Sequence, residues 1–404
     1  MLMFDNVTPS VRPEGRRVVD WRMKVLVLFG TRPEVIKLAP VIHELRKRFF
    51  QTIVVSSSQH KQLIKPFLDA LKVDVDFDLG VMRKNQTPNE VCSRVMAKLD
   101  KILASERPDL ILVQGDTTTT LAGALAGFNR RIPVGHVEAG LRSGNINSPF
   151  PEEMNRRVVS QVASFHFAAT EKNRRNLLAE DVPSDKIFVT GNPVVDSLRD
   201  MLTKLTPSDK IAHLIESTDG KKRLLLTTHR RESFGSKMTA NLKVIRDFVE
   251  KRRDVCLFFP VHPNPNVKQI AKEILGRRER VHLLGPLDYA DFLAIMQSSW
   301  LIISDSGGVQ EEAPSLGKPL LVMRENTERP EAISAGVSKL IGNGPGALKH
   351  LLEENYSVDT WINSVGEVAN PFGDGKSAAR IVRVIEEKLA SKPIGAKVAR
   401  ASLF

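Results

Sequence analysis

At 404 residues the chain exceeds what one ordinary core accommodates, so two domains are expected. With 42% hydrophobic and 26% charged residues it has the composition of a soluble globular protein, and no apolar run approaches the ~20 residues of a membrane helix. A net charge of +12 raises nucleic acid as a partner, but the basic clusters at 46–48, 130–131, 221–223, 251–253 and 277–278 fall mostly at helix ends and carry no interleaved aromatics, so a solvated face is the better reading.

Residues 1–22 hold Arg12, Glu14, Arg16, Arg17 and Asp20 but no continuous apolar segment; they read as a flexible extension, not a secretory signal. Met23 to Phe29 is an apolar run of strand length, turned by Gly30-Thr31-Arg32-Pro33-Glu34, with Pro33 suited to a helix start. Val35, Leu38, Ala39, Ile42 and Leu45 follow at helical spacing. Ile53 to Val55 is a second strand, and His60 to Leu71 and Asn89 to Leu103 are amphipathic helices. A strand over Leu110 to Val113 ends at Gln114-Gly115-Asp116 and leads into a small-residue helix, Leu121 to Phe128. The strand Pro133 to Val137 ends at Glu138-Ala139-Gly140, and a Pro-containing loop leads to a helix over Glu152 to Val162. Strands at Phe165 to Ala168 and Ile187 to Val189 close this half.

Residues 204–222 are polar, carry Pro207 and Gly220, and read as a linker. Strand–helix alternation then resumes: Leu224 to Thr227, Met238 to Glu250, Val255 to Pro260, Val267 to Leu275, Val281 to Leu283 and Tyr289 to Gln297. Next comes a strand at Leu301 to Ile303, the turn Asp305-Ser306-Gly307-Gly308, a short helix from Val309 to Leu316, and a strand from Leu320. Such alternation predicts an α/β protein: two Rossmann-like domains, 23–203 and 223–390, with parallel sheets facing a central cleft. The last helix is expected to pack back on the first domain, and 391–404 to form a flexible tail. Neither half carries GxGxxG, so no dinucleotide cofactor is indicated. The two cysteines, Cys92 and Cys256, lack CxxC partners and read as reduced core thiols.

In doubly wound sheets ligands bind at the carboxyl ends of strands, and the polar residues cluster there. Arg32 and Lys37 follow the first strand; Asp116, His136 and Glu138 mark two others; Glu152, Glu153 and Arg156 follow the proline-containing loop. In the second half Thr228-His229-Arg230-Arg231-Glu232, His262 and Ser306-Gly307-Gly308 occupy such positions. The Ser-Gly-Gly turn before a helix forms an anion site, with Glu311 and Glu312 one turn inside, where a ribose diol fits. Taken singly, Asp116 is equally a helix cap, Glu138 a loop acid, and the histidines structural; Asp116, His136 and Glu138 as metal ligands lack any HxH or HExxH spacing. Their coincidence at strand ends favours a site. A diphosphate held at Ser306 to Gly308 is a good leaving group, and carboxylates opposite can stabilise an oxocarbenium-like centre. This pattern leaves open transfer, hydrolysis or internal return.

The segments GTRPEVIK (30–37), GDTTTT (115–120), GHVEAGLRSG (135–144), PEEMNR (151–156), THRRES (228–233), PVHPNP (260–265), SDSGGVQEEAPSLGKP (304–319) and ERPE (328–331) together resemble the non-hydrolysing UDP-N-acetylglucosamine 2-epimerases. The likeness runs in unbroken order from about Met23 to about Glu387. It implies a GT-B fold, a cytoplasmic homodimer, no cofactor and no metal, and interconversion of UDP-N-acetylglucosamine and UDP-N-acetylmannosamine for bacterial surface polysaccharides. By motif it implies acid/base roles for Asp116, Glu138 and Glu152, and activity roles for Arg32, Lys37 and His229. It further implies phosphate contacts at Arg156, Ser306, Gly307 and Gly308, a ribose contact at Glu312, and a nucleotide pocket lined by Phe292 and Arg329. The implied chemistry is elimination of UDP to a 2-acetamidoglucal and re-addition, with closure of the domains retaining both fragments. Gln59, His60 and Gln62 match an allosteric substrate site of many bacterial members, but Asn85 stands where an arginine is expected, with Arg83 two residues earlier. The implied partner is a small nucleotide-sugar, with neither nucleic acid nor membrane. A GT-B glycosyltransferase and a hydrolysing 2-epimerase are the rival enzymes.

Overall fold

The structure, a computed structural model, describes residues 23–48, 50–58, 61–228, 235–342 and 344–390. The terminal segments 1–22 and 391–404 lie outside these residues. The chain divides into two compact units: residues up to Ser197 together with those from Gly373 onward, and Leu198–Phe372.

Unit 1 is built on seven parallel strands: β1 (Lys24–Phe29), β2 (Gln51–Ser56), β3 (Phe77–Asp78), β4 (Leu110–Gln114), β5 (Val134–Ala139), β6 (Phe165–Ala168) and β7 (Ile187–Val189). Their order is β3-β2-β1-β4-β5-β6-β7, so the winding direction reverses between β1 and β4. The helices are α1 (Arg32–Lys47), α2 (Lys61–Ala70), α3 (Pro88–Glu106), α4 (Thr118–Asn129), α5 (Glu152–Val162), α6 (Glu171–Leu178) and α7 (Pro193–Leu202). Continuous apolar strands follow from coverage of both sheet faces: β1 and β4 are almost wholly buried. Small residues in α4 let it approach the sheet. A Cβ on Gly123 would lie 2.5 Å from Leu28, and one on Gly127 would lie 2.7 Å from Val134.

Unit 2 contains α8 (Asp209–Ser217), β8 (Lys222–Thr227), α9 (Ser236–Lys251), β9 (Val255–Pro260), α10 (Pro265–Leu275), β10 (Val281–Leu284), α11 (Tyr289–Ser298), β11 (Leu301–Ser304) and α12 (Gly307–Glu312). A 3-10 turn (Ala313–Leu316) continues α12, followed by β12 (Leu320–Val322), α13 (Pro330–Ser334), β13 (Ser338–Leu340), α14 (Pro345–Ser357) and α15 (Thr360–Ser364). The sheet order β10-β9-β8-β11-β12-β13 repeats the reversal, now between β8 and β11. Its core gathers Leu224, Leu257, Phe259, Leu301 and Ile303 with helix residues such as Ile245 and Phe248.

The final helix, α16 (Ser377–Ala390), belongs to unit 1. Asp196 accepts bonds from the Ser377 and Ala378 amides at 3.1 and 2.9 Å, satisfying donors at the helix start. Arg48 donates to Glu386 at 3.0 Å.

The unit boundary falls inside α7, and the polar stretch 204–222 holds α8 and the first residue of β8. Helix α8 was masked in the sequence by its short apolar stripe, Ile211 to Ile215, of which only Ile211 is buried. Both cysteines are free, Cys92 half-buried and Cys256 buried. No described helix is long and apolar enough to cross a membrane.

Candidate active site

At the carboxyl edge of the first sheet, three loops bring polar side chains together. Glu138 lies inside the end of β5, not after it as the sequence suggested. Its φ is +64°, and the register with β6 shifts between Val137 and Ala139. Such a bulge re-aims a side chain out of the strand's alternation. The carboxylate, 5% exposed, pairs with Lys37 of α1, and Asn192 Nδ2 donates to the same oxygen at 2.7 Å. The turn before Asp116 is close by: a Cβ on Gly115 would lie 3.8 Å from Glu138 Oε1.

Asp116 is held from α5. Arg156 Nε and Nη2 reach its Oδ2 at 2.9 and 2.6 Å, and Asn155 Nδ2 donates to its carbonyl at 2.8 Å. Arg156 is itself buried and donates through Nη1 to the fully buried Glu153 at 2.8 Å. Glu153 also accepts from the Ser143 amide at 3.0 Å, which ties the Pro-containing loop to the helix. The resemblance assigned Arg156 to phosphate; its guanidinium here spans two carboxylates of unit 1. Glu152 is the first residue of α5 and half-buried. Arg32 is exposed and lies over the Phe67 ring at 5.2 Å.

His136 belongs to the support of this edge. Its Nε2 donates to the Gly115 carbonyl at 2.7 Å, which fixes the proton on that nitrogen. Burial pushes its pKa down to about 4, partly opposed by that bond. A neutral ring at ordinary pH follows. Among the described residues no cluster of histidine, cysteine and carboxylate side chains has the arrangement to hold a metal.

The second sheet ends in a different chemistry. Thr228 Oγ donates to Asp305 at 2.8 Å, and Thr227 and Ser304 hydroxyls meet at 2.6 Å, locking the ends of β8 and β11 together. Ser304 Oγ accepts from the Ser306 amide at 3.0 Å and shapes the turn. Ser306 caps α12, and Gly307 and Gly308 open it. Gly307 cannot carry a side chain without displacement: its Cβ would lie 2.7 Å from Arg329 Nη1. Arg329 is pinned by Glu311 at 2.6 Å and Glu328 at 2.9 Å, and Glu328 also takes Arg324 at 2.6 Å. Glu311, read from sequence as a ribose acid alongside Glu312, thus serves a buried ion-pair network. Glu312 accepts from Tyr289 Oη at 2.9 Å, and Phe292 on the same helix, α11, is half-buried. His262 is exposed, its Nδ1 accepting from the Asn264 amide at 3.3 Å.

His229 and the allosteric candidates Gln59 and His60 lie outside the described residues, as does the Gln62 side chain. Asn192, Asn155, Tyr289 and Glu34 were not singled out from sequence. Asn192 and Glu34 carried a signal in the Gly191-Asn192-Pro193 turn and the third position of α1, where a carboxylate closes a capping box.

Two doubly wound sheets, each gathering polar groups at its carboxyl edge, define an enzyme of the GT-B class. The model of the UDP-N-acetylglucosamine 2-epimerase family matches residues 43–386. The UDP-N-acetylglucosamine 2-epimerase of Salmonella typhimurium is 45% identical over 370 residues, covering 90% of this chain and 98% of that protein. The structure of the Neisseria meningitidis UDP-GlcNAc 2-epimerase bound to UDP-GlcNAc is similar at a TM-score of 0.86 and 41% identity, over 90% of this chain and 100% of that one. The S. aureus MnaA structure with UDP is similar at a TM-score of 0.86 and 39% identity, over 92% and 99%. The chain belongs to the UDP-N-acetylglucosamine 2-epimerase family.

Proposed function

We propose that this enzyme interconverts UDP-N-acetylglucosamine and UDP-N-acetylmannosamine by inversion at sugar C2. The observation that carries the reading is the acid cluster of unit 1, in which Glu138, held by Lys37 and Asn192, stands beside the Gly115–Asp116 turn. Nucleotide binding alone has no need of it.

Ser306, Gly307 and Gly308 hold the diphosphate, Glu312 the ribose, and Phe292 with Arg329 shape the nucleotide pocket. Asp116, Glu138 and Glu152 serve the sugar as proton-transfer groups, with Arg32, Lys37 and His229 supporting charge. Arg156, bonded to Asp116 and Glu153, orients Asp116.

The C2 proton has no neighbouring carbonyl and is not acidic. Breaking the C1–O bond, with the electron pair leaving on UDP, creates a cationic centre that acidifies it. A carboxylate then takes the proton, giving a C1=C2 double bond in a 2-acetamidoglucal. Protonation of C2 from the opposite face and re-addition of UDP to C1 complete the inversion. The same reading includes a cytoplasmic homodimer feeding surface polysaccharide synthesis.

A proton NMR time course with UDP-N-acetylglucosamine in heavy water tests this. UDP-N-acetylmannosamine with deuterium at C2 is the expected product. Epimerisation without deuterium refutes the elimination, and stoichiometric free UDP points to a hydrolysing enzyme or a transferase.

A further inference from the structure

Glu34 is 2% exposed and takes no part in the scheme above. Its Oε2 accepts from the Gly30 amide at 3.1 Å, the Thr31 amide at 2.7 Å and the Thr31 hydroxyl at 2.7 Å. These bonds close the turn between β1 and α1. A helix cap needs no more than that.

The other oxygen faces elsewhere. Oε1 accepts from Thr117 Oγ at 2.9 Å and lies 3.3 Å from Thr120 Oγ, both at the start of α4. Thr120 also donates to the Gln114 carbonyl at 2.6 Å, and a hydroxyl has one proton, so the Thr117 bond is the main crossing link. The two turns it joins follow β1 and β4, the adjacent strands between which the sheet reverses its winding. One turn leads to Arg32 and Lys37; the other carries Asp116. Among the described residues Glu34 has only amide and hydroxyl partners, and burial raises its pKa to about 6. A carboxyl group kept buried without a cation at this junction is costly for a simple cap.

We propose that Glu34 is a positioning residue that fixes the Arg32–Lys37 turn relative to the Asp116 turn, so that Lys37-held Glu138 and Asp116 address one sugar. The proposal rests on the epimerase reading for its catalytic consequence. Glu34 touches no reacting atom; it acts through the two turns.

The test uses Glu34→Gln, Thr117→Val and Thr117→Ser in the full chain. The glutamine has one acceptor oxygen, so with that oxygen on the Gly30 and Thr31 donors it can meet Thr117 only through Nε2, with the direction of the link reversed. The valine removes the crossing donor, together with the Thr117 cap on the Thr120 amide, but none of the groups that bond within the first turn; the serine keeps the donor and the cap. With UDP-N-acetylglucosamine as substrate, kcat is expected to fall at least tenfold in Glu34→Gln and Thr117→Val, with KM within about threefold, and to stay within about twofold in Thr117→Ser. UDP titration normalises for folded enzyme. Amide hydrogen exchange supplies a readout independent of turnover: Gly30 and Thr31 should lose protection in Thr117→Val and keep it in Thr117→Ser. Wild-type kcat per folded enzyme in Thr117→Val, or unchanged protection there, overturns the proposal even if Glu34→Gln fails to fold. If the wild-type enzyme does not turn over the nucleotide-sugar, the epimerase reading fails, and hydrogen exchange still decides whether Glu34 couples the turns.

Discussion

His166→Leu should reduce the acid sensitivity of unit 1 by a defined amount. His136 and His166 face each other in the register of β5 and β6, and are 0% and 1% exposed. Burial drives His136 to a pKa of about 4, and burial followed by the neighbouring His136 charge drives His166 to about 3. Both lie below the ordinary value of 6.5, so the unfolded chain takes up these protons first. Their contribution is therefore fully present above about pH 6.5 and declines as pH falls towards the folded values. At pH 5 each histidine favours the unfolded state by about 1.5 pH units of binding, or roughly 2 kcal/mol.

Glu34 has the opposite sign. Its pKa is raised from 4.5 to about 6, so the folded state binds its proton first and regains about 1 kcal/mol on going from pH 7 to 5. The three groups together give a loss of about 3 kcal/mol. In His166→Leu one titrating ring is gone, and the loss should shrink to about 1 kcal/mol, whatever the absolute cost of the substitution. Hydrogen exchange of the β5 and β6 amides at pH 7 and 5 gives the opening free energies. Equal pH dependence in both proteins, within about 0.5 kcal/mol, would refute the buried neutral pair.

Other substitutions probe the two loop clusters. Lys37→Met should abolish turnover and destabilise the protein by about 3–5 kcal/mol, because it removes the cation paired with the buried Glu138 carboxylate. Adding Glu138→Gln should restore most of the melting temperature and none of the activity; a double variant as unstable as the single one contradicts the pairing. In Gly307→Ala the new methyl meets a guanidinium that Glu311 and Glu328 prevent from swinging away, and overpacking of this kind costs about 1–3 kcal/mol. UDP affinity by calorimetry should drop about tenfold, while β5–β6 hydrogen exchange stays unchanged. Tyr289→Phe removes one hydrogen bond to Glu312 and should raise KM for the nucleotide-sugar several-fold, by about 1 kcal/mol, with kcat retained.

Much of this protein is written along the chain, because parallel α/β units are local in sequence. Apolar runs such as Met23 to Phe29 and Leu301 to Ile303 signal strands, and their bounds matched within a residue or two. Strand-end polar residues marked the candidate site for the same reason: a doubly wound sheet exposes only its loop edges. The Ser306-Gly307-Gly308 turn carried its own signal, and at Gly307 a side chain would collide with Arg329.

Tertiary structure decided what those residues touch. The two acids at 311 and 312 look equivalent in sequence, yet one pairs with Arg329 and the other with Tyr289, since successive helix positions face different neighbours. Glu138 reads as a loop acid, but a bulge in β5 turns it to a lysine 101 residues away. The resemblance gives Arg156 a phosphate contact, but two carboxylates hold it. Glu34 closes a capping box at the start of α1, and only the adjacency of β1 and β4 brings Thr117 to its second oxygen. Sequence alone determined the fold class and the family, because periodicity and motif order are properties of the chain. The pairing of charges belongs to the fold, because partners such as Lys37 and Glu138 are neighbours only once the strands have taken their order in the sheet.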